Sequence, residues 1–236
     1  MAADCCEDIL ARGKVPIITG GTGLYIDSLL SGRDFAAAPD TDAELREKLG
    51  GEYDAIGGEA FREKLRAVDP ERAEKLHPSD RKRLTRAMEV YLLTGETITV
   101  HDERTRALPK RYESLRFALT YENRERLYER IDRRVDIMVE MGLFDEVESL
   151  LRSGLAQGST AMQAIGYKEP AAYFAGRCSR EEAIEKIKME SRRYAKRQLT
   201  WLRRDEGIHW VYRDNVPKAE THVEEILNLW QAFRGE

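Results

Sequence analysis

A glycine-rich turn between an apolar stretch and an apolar-striped helix constrains the fold of this chain more than any other feature. Residues 15–18 (Val-Pro-Ile-Ile) predict a short buried strand, and the spacing after residue 23 predicts a helix. Gly20, Gly21 and Gly23 predict a tight turn between them. Because glycine has no Cβ, backbone amides in such a turn can approach a bound molecule, and the helix N-terminus attracts anionic or polar groups. Many proteins make this turn for packing alone, so by itself it favours an α/β fold without choosing a function.

Helical spacing dominates the rest of the chain. Residues 2–11 predict the end of a helix, and helices are predicted over residues 43–49, 61–68, 70–76, 81–94, 123–141, 143–151, 179–204 and 217–233. Ser79 is the predicted N-cap of the helix over 81–94, and Ser179 with Glu182 predicts a capping box. Strands are predicted over residues 115–121 and 208–212. This order predicts an α/β core in two pieces, 1–32 and 115–236, with a helical insertion over 33–114.

Composition and charge exclude several classes of protein. The net charge of −4 argues against binding through bulk positive charge, although local basic clusters still permit RNA binding. Cys5, Cys6 and Cys178 have no metal-ligand or disulfide spacing, and the four histidines are scattered. The first residues carry acids where a signal peptide would be basic, and no stretch is long enough to span a bilayer. We therefore expect a cytoplasmic protein without a membrane partner.

Three further segments carry a family resemblance. Residues 80–90 read Asp-Arg-Lys-Arg-Leu-Thr-Arg-Ala-Met-Glu-Val, residues 163–168 read Gln-Ala-Ile-Gly-Tyr-Lys, and residues 194–204 read Tyr-Ala-Lys-Arg-Gln-Leu-Thr-Trp-Leu-Arg-Arg. With the glycine turn upstream, their order and spacing resemble the tRNA dimethylallyltransferase (IPP transferase) family over most of the chain. The resemblance implies a P-loop-NTPase-like parallel-sheet core with a helical insertion domain that binds the anticodon stem–loop. It also implies tRNA and dimethylallyl diphosphate as partners, Mg²⁺ as cofactor, and a monomer when the protein is complete.

The resemblance also implies which residues contact tRNA. They are Arg46, Lys82, Arg83, Leu84, Thr85, Arg86, Gln163, Ala164, Ile165, Gly166, Tyr167, Lys168, Lys196, Arg197, Gln198, Thr200, Trp201 and Arg203. In the segment 194–204, arginines lie beside hydrogen-bonding and stacking groups, a combination that suits RNA. The alternative is that this segment and residues 82–86 form solvated helix faces, and that Arg46 is an ordinary surface residue.

Two residues are assigned to the reaction centre by the same resemblance. Arg134 matches an arginine near the allylic diphosphate, and it repeats at every fourth residue with Arg126 and Arg130. Guanidinium groups suit a diphosphate, but this ladder could instead pair with acids such as Glu122, Glu129 or Asp132. Thr22 matches a threonine near the target adenine, and the alternative is that its hydroxyl caps the helix that follows.

The chain departs from the family pattern in one respect. The motif G-x-x-x-x-G-K-[ST] does not occur, since the only Gly-Lys pair, Gly13-Lys14, is followed by Val15. The family's catalytic aspartate is not found either, and no metal ligands are identifiable. We therefore expect an N-terminally shortened family member without detectable dimethylallyl transfer. Two alternatives remain: a non-catalytic tRNA-binding remnant, and part of a P-loop small-molecule kinase.

Overall fold

The computed structural model describes residues 1–32, 42–107, 109–156, 158–214 and 219–235. These residues divide into two compact units, Met1–Ser114 (unit 1) and Leu115–Glu236 (unit 2). The predicted assignment of residues 1–32 to the same domain as 115–236 stays a prediction. No helix in the described ranges combines the length and apolar character that crossing a membrane requires.

All regular secondary structure in the described part of unit 1 is helical. Its helices are α1 (Ala2–Ala11), α2 (Gly23–Ser31), α3 (Ala43–Ile56), α4 (Gly58–Arg66), α5 (Pro70–Lys75), α6 (Arg81–Thr94) and α7 (Ile98–Ala107). Helices α3 to α6 contribute a common apolar core in which Phe61, Leu65 and Leu84 are fully buried. Burial of each such side chain stabilises the unit by about 1.5–3 kcal/mol, so this core fixes where α6 presents its polar face.

Aspartates cap three of these helices. Asp42 accepts a hydrogen bond from the backbone N–H of Leu45 at the start of α3. Asp69 accepts one from the backbone N–H of Arg72 at the start of α5. The predicted cap of α6 is wrong by one residue, because Asp80 and not Ser79 accepts from the N–H of Arg83. Both residue types are good N-caps. The hydroxyl of Ser79 instead lies 2.7 Å from Nδ1 of His77 in the preceding turn.

The predicted strand over residues 15–18 is wrong in this structure. Residues 14–20 have no regular secondary structure, and Val15, Ile17 and Ile18 are 46%, 84% and 41% exposed. A strand requires a neighbour with which to exchange backbone hydrogen bonds. The described part of the chain provides none beside this segment, so the apolar sequence alone does not make a strand.

Unit 2 contains a small parallel sheet among helices. Its elements are β1 (Arg116–Thr120), α8 (Arg124–Glu140), α9 (Leu143–Arg152), α10 (Lys168–Phe174), α11 (Arg180–Leu202), β2 (Ile208–Tyr212) and α12 (Ala219–Arg234). β1 and β2 are parallel, with Arg116 opposite Ile208 and Thr120 opposite Tyr212. The predicted strands and the capping box of α11 are confirmed to within a few residues.

Two helices were not expected from the sequence. α7 begins with Ile98, Thr99 and Val100, whose branched Cβ atoms lower helix propensity, so its local pattern does not indicate a helix. α10 is short and has Pro170 in its first turn. Packing stabilises α10, because Ala171 shares a buried cluster with Val147 of α9 and with Met162.

Candidate nucleic-acid interface

The basic segment 82–86 starts α6 of unit 1. Lys82 and Arg83 are exposed, and Arg83 pairs with Asp80, with Nη1 3.2 Å from Oδ2. Lys82 and Arg86 are one turn apart on the same side of the helix. Within the described ranges Lys82 forms no ion pair, so its ammonium group is available to a phosphate.

The other two members of this segment face inward. Leu84 is fully buried in the core of unit 1, and Thr85 is only 7% exposed. The Thr85 hydroxyl donates to the carbonyl oxygen of Arg81 at 2.8 Å. These two side chains therefore hold α6 in place and do not face the surface on which an RNA would lie.

Arg46 and Arg86 converge on one buried carboxylate. A terminal nitrogen of Arg46 on α3 lies 3.2 and 3.3 Å from the two oxygens of Glu89, and Nη1 of Arg86 lies 2.8 Å from Oε2. The Glu89 side chain is 1% exposed, whereas those of Arg46 and Arg86 are 52% and 31% exposed. The structure thus joins two predicted contact residues that are distant in sequence. The spacing of Arg86 and Glu89 favours their pairing within one helix, but nothing in the sequence pattern indicates that Arg46 meets the same carboxylate.

In unit 2, the last three turns of α11 present the second basic surface, which we call the α11 surface. Its exposed cations are Lys196, Arg197, Arg203 and Arg204. In the parts of the chain that the structure covers, none of these four forms an ion pair. The guanidinium of Arg197 lies 5.6 Å from the ring centroid of Tyr194, and that of Arg204 lies 5.5 Å from Trp201. Cations beside exposed rings are the combination that binds single-stranded RNA.

The remaining predicted residues of the segment 194–204 lie on or beside the α11 surface. The hydroxyl of Thr200 donates to the carbonyl oxygen of Lys196 at 2.9 Å, which leaves its lone pairs toward the surface. Gln198 is half-buried, while Trp201 is 37% exposed. The indole of Trp201 is thus accessible to a base along part of its face.

Further toward the N-terminus of α11, the arginine run is structural. Nη1 of Arg192 lies 2.6 Å from both carboxylate oxygens of Asp132 on α8. One turn away, Lys188 lies 2.8 Å from Asp136, and this hydrogen bond raises the pKa of Lys188. These two ion pairs join α8 and α11, so Arg192 does not belong to the α11 surface.

The arginine ladder of α8 remains largely unpaired. Arg126, Arg130 and Arg134 are all exposed, and Arg126 donates to the carbonyl oxygen of Asp214 at 2.7 Å. Over the residues that the structure describes, Arg130 and Arg134 form no ion pair. Asp132, one of the acids considered as a partner for the ladder, is instead taken by Arg192. Arg134 is therefore placed to bind an anionic group.

The segment 163–168 makes the turn that leads into α10. Gln163 ends a short 3₁₀ helix, Ala161–Gln163, and Ala164 is exposed. Gly166 has φ +94°, a conformation that favours glycine, and its N–H donates to Oε2 of the buried Glu169 at 2.8 Å. Glu169 thus holds the turn, although it lies just outside the predicted segment.

The side chains on either side of Gly166 are tied to neighbouring elements. Ile165 packs against the buried cluster of Val135, Leu143 and Ile187. The Tyr167 hydroxyl donates to Glu146 on α9, and this hydrogen bond raises the pKa of Tyr167. Lys168 lies 3.6 Å from Glu169 and, with Gln163, lines a cavity of about 710 Å³ in unit 2.

In unit 1, the glycine turn leads directly into α2. Thr22 occupies the N-cap position, but its side chain makes no capping hydrogen bond, so the capping alternative is wrong. Gly20, Gly21 and Gly23 do not have positive φ angles, and a Cβ added at Gly20 would meet nothing within 4 Å. Neither the backbone conformation nor packing inside the unit therefore requires glycine at residue 20.

A resident metal site does not fit the described residues. Within them, no group of three or more His, Cys, Asp or Glu side chains converges on a point where a cation could bind. The expected Mg²⁺ therefore has no cluster of protein ligands among the described residues, whereas substrate phosphates and waters commonly supply most of its ligands. We assign none of the reaction's steps to it.

Comparison with known proteins identifies the family. The model of the IPP transferase family matches residues 1–205 of this 236-residue chain. The chain belongs to the IPP transferase family. The predicted resemblance is confirmed, and the match includes the turn at Thr22, the α8 ladder and the α11 surface.

Relatives of this IPP transferase family member carry a consistent name. The tRNA dimethylallyltransferase of Acetivibrio thermocellus is 43% identical over 235 residues, which are 99% of this chain and 74% of that protein. That of Halothermothrix orenii is 48% identical over 210 residues, covering 89% of this chain and 63% of that protein. Enzymes named as tRNA prenyltransferases are therefore its relatives over nearly its whole length.

Solved structures confirm the α/β fold with its small parallel sheet. The tRNA isopentenylpyrophosphate transferase from Bacillus halodurans matches with a TM-score of 0.65 at 35% identity, over 98% of this chain and 70% of that one. A eukaryotic dimethylallyltransferase, captured acting on tRNA, matches with a TM-score of 0.75 at 25% identity, over 98% of this chain and 60% of that one.

Proposed function

We propose that this chain acts in tRNA modification, in the transfer of a dimethylallyl group from dimethylallyl diphosphate to N6 of the adenine next to the anticodon. The observation that carries the proposal is the α11 surface in a chain of this family. It combines cations that have no acidic partner in the described structure with exposed aromatic rings. Such a surface suits an anticodon loop, whose unstacked bases stack on rings while its phosphates meet cations.

The proposed chemistry assigns a role to Arg134. The N6 nitrogen of adenine forms a bond to C1 of the dimethylallyl group, the C1–O bond breaks, and the diphosphate leaves with the bonding electrons. A general base takes the N6 proton. Negative charge therefore grows on the diphosphate oxygens in the transition state, where a planar guanidinium can donate two parallel hydrogen bonds. Arg134, with Arg130 one turn before it, offers these donors because neither is neutralised by an acid of the described chain.

The glycine turn is proposed to receive the adenine. The Thr22 hydroxyl does not cap α2, so its hydrogen-bonding capacity remains for a base. Gly20 is surrounded by open space, as expected where a substrate approaches the backbone. The α2 N-terminus next to this turn presents backbone N–H groups toward the same region.

Two further surfaces are proposed to bind the stem of the anticodon arm and its flanking phosphates. Lys82, Arg83, Arg86 and Arg46 form the first, on α6 and α3 of unit 1. The segment 163–168 forms the second, through Gln163, Ala164 and Lys168. We also propose that the small sheet belongs to a P-loop-NTPase-like core and that residues 33–114 form the RNA-binding insertion of that core. Action as a monomer in the cytoplasm stays a prediction.

The experiment is a binding comparison between two RNA hairpins with the same stem. One carries the full anticodon loop with its adenine, and the other closes the stem with a tetraloop. Fluorescence anisotropy with the wild-type chain should show tighter binding to the anticodon stem–loop, because only that loop offers unstacked bases to Tyr194 and Trp201. The Trp201→Leu variant should lose about 1–3 kcal/mol of that preference, the usual value of one stacked base.

Two outcomes would contradict the proposal. Equal affinity of wild type for the two hairpins would show that only the stem phosphates are bound. Absence of RNA binding would remove the proposed function altogether. Transfer of a labelled dimethylallyl group to tRNA measures the reaction itself, and binding is the primary readout because it tests the α11 surface directly.

A further inference from the structure

We propose that Glu89 is a positioning residue for RNA binding, which holds Arg46 and Arg86 as one preformed fork for a backbone phosphate. The inference rests on the proposed tRNA function and adds to it a residue that does not itself touch RNA. Its basis is the convergence of two half-exposed arginines, from α3 and α6, on a single buried carboxylate.

The burial of the three side chains shows how the cluster is oriented. Glu89 is 1% exposed, so its carboxylate lies beneath the surface, whereas Arg46 and Arg86 retain 52% and 31% exposure. Each arginine contacts Glu89 through one terminal nitrogen, Arg46 at 3.2 and 3.3 Å and Arg86 at 2.8 Å. A guanidinium has five N–H donors, so most donors of both residues are left for an outside acceptor.

The charges of the cluster favour an anion. Two guanidinium groups and one carboxylate sum to a net charge of +1, and in the described ranges neither arginine has a second acidic partner. A single carboxylate cannot neutralise both. The unbalanced charge faces outward, beside Lys82, which lies one turn before Arg86 on α6. A phosphate diester, with one negative charge and two free oxygens, would complete the cluster.

Holding the arginines in advance strengthens binding. A free arginine side chain loses rotamer freedom when it binds, at a cost of about 0.5–1.5 kcal/mol. Because Glu89 already restricts the rotamers of both arginines in the folded protein, this freedom is not lost again when RNA binds. Glu89 also sets the separation of the two groups, because α3 and α6 are fixed by the core that contains Leu49 and Leu84.

The alternative is that the cluster only stabilises the packing of α3 on α6. The sign of a charge effect separates the two. Glu89→Gln makes the protein more positive by one charge, and on charge alone this should tighten RNA binding. If Glu89 positions the arginines, the same variant should weaken binding, by about three- to tenfold, the factor that corresponds to the ordering of one such side chain.

Glu47→Gln is the matched control. Glu47 is exposed on α3 next to Arg46 in sequence, and its loss changes the net charge equally. We expect this variant to bind the anticodon stem–loop at least as tightly as wild type. If Glu89→Gln binds as tightly as Glu47→Gln, with circular dichroism and melting showing both folded, Glu89 has no positioning role.

A second variant covers the case in which Glu89→Gln does not fold. Glu89→Asp keeps the negative charge but shortens the side chain by one methylene group. We expect the shorter carboxylate not to contact Arg46 and Arg86 at the same time. Arg46→Gln should weaken binding strongly in wild type and only slightly in the Glu89→Asp background, because the two changes remove the same fork. Equal effects of Arg46→Gln in both backgrounds would overturn the inference. If Arg46→Gln weakens RNA binding but no Glu89 variant does, the positioning role of Glu89 fails and the proposed function stands. If the wild-type protein does not bind RNA, the proposed function itself fails.

Discussion

The most direct test of the α11 surface is the removal of three of its charges together, with Lys196, Arg197 and Arg203 all replaced by Gln. These residues are exposed, and across the described parts of the chain none is paired with an acid. Their loss should therefore leave no carboxylate without a partner, and α11 should keep its packing through Ala183 and Ile187.

The expected magnitude follows from counterion release. Each phosphate contact contributes about 0.7 to the slope of log affinity against log salt for single strands and about 0.9 for a B-form duplex, values that bracket the expectation for a stem–loop. Loss of three contacts should flatten the slope by about 2–3 units. For each protein, the affinity at about 50 mM salt can be divided by the affinity at about 200 mM salt. This ratio should be about 20- to 40-fold smaller for the variant than for wild type.

The assay is anisotropy of a labelled anticodon stem–loop titrated at several salt concentrations. A matched control removes three cations that already have acidic partners: Lys75 beside Glu71, Arg104 beside Glu96 and Arg152 beside Glu148. Its net charge changes equally, and its slope should change by less than about one unit. Equal slopes in the two triple variants would show that RNA responds to overall charge, and the α11 surface would be an ordinary solvated helix face.

Two further predictions concern the core and the diphosphate. Leu84→Ala should lower the free energy of unfolding by about 2–5 kcal/mol in urea denaturation, because it empties a fully buried position; a loss below about 1 kcal/mol would contradict the burial of this side chain. Arg134→Gln should weaken the binding of inorganic diphosphate in calorimetry by about tenfold or more, the value of one charge-assisted hydrogen bond, whereas Arg133→Gln, an exposed neighbour on another side of α8, should have little effect. Equal effects of the two variants would contradict a specific role for Arg134.

Several local elements of this protein follow from its sequence to within a few residues, among them α6, α8, α9, α11 and both strands of the sheet. The stripe of apolar residues in α8 and the capping box of α11 depend on spacings of three and four residues, which any helix repeats. The family could also be predicted, because its motifs are contiguous segments in a fixed order. These features can be predicted without knowing which residues pack against them.

Partners that are distant in the sequence could not be predicted in the same way. Arg192 belongs to the same basic run as Arg197, yet Arg192 pairs with Asp132, which lies on another helix sixty positions away, whereas Arg197 stays at the surface. Likewise, the helical pattern places Glu89 beside Arg86 but does not indicate that Arg46 on another helix meets the same carboxylate. A helical period tells which side a residue occupies but not which charge meets it there.

The segment over residues 15–18 shows the same limit for backbone structure. Its apolar residues indicate a strand, but strand formation depends on hydrogen bonds to a neighbouring strand, which is a tertiary property. The sequence by itself determined most of the helices, the capping box of α11 and the family, because these depend on local spacing and on contiguous motifs. Only the tertiary structure decided which arginines are bound to acids and which remain for RNA, because an ion pair forms where packing brings two side chains within about 4 Å, whatever their separation along the chain.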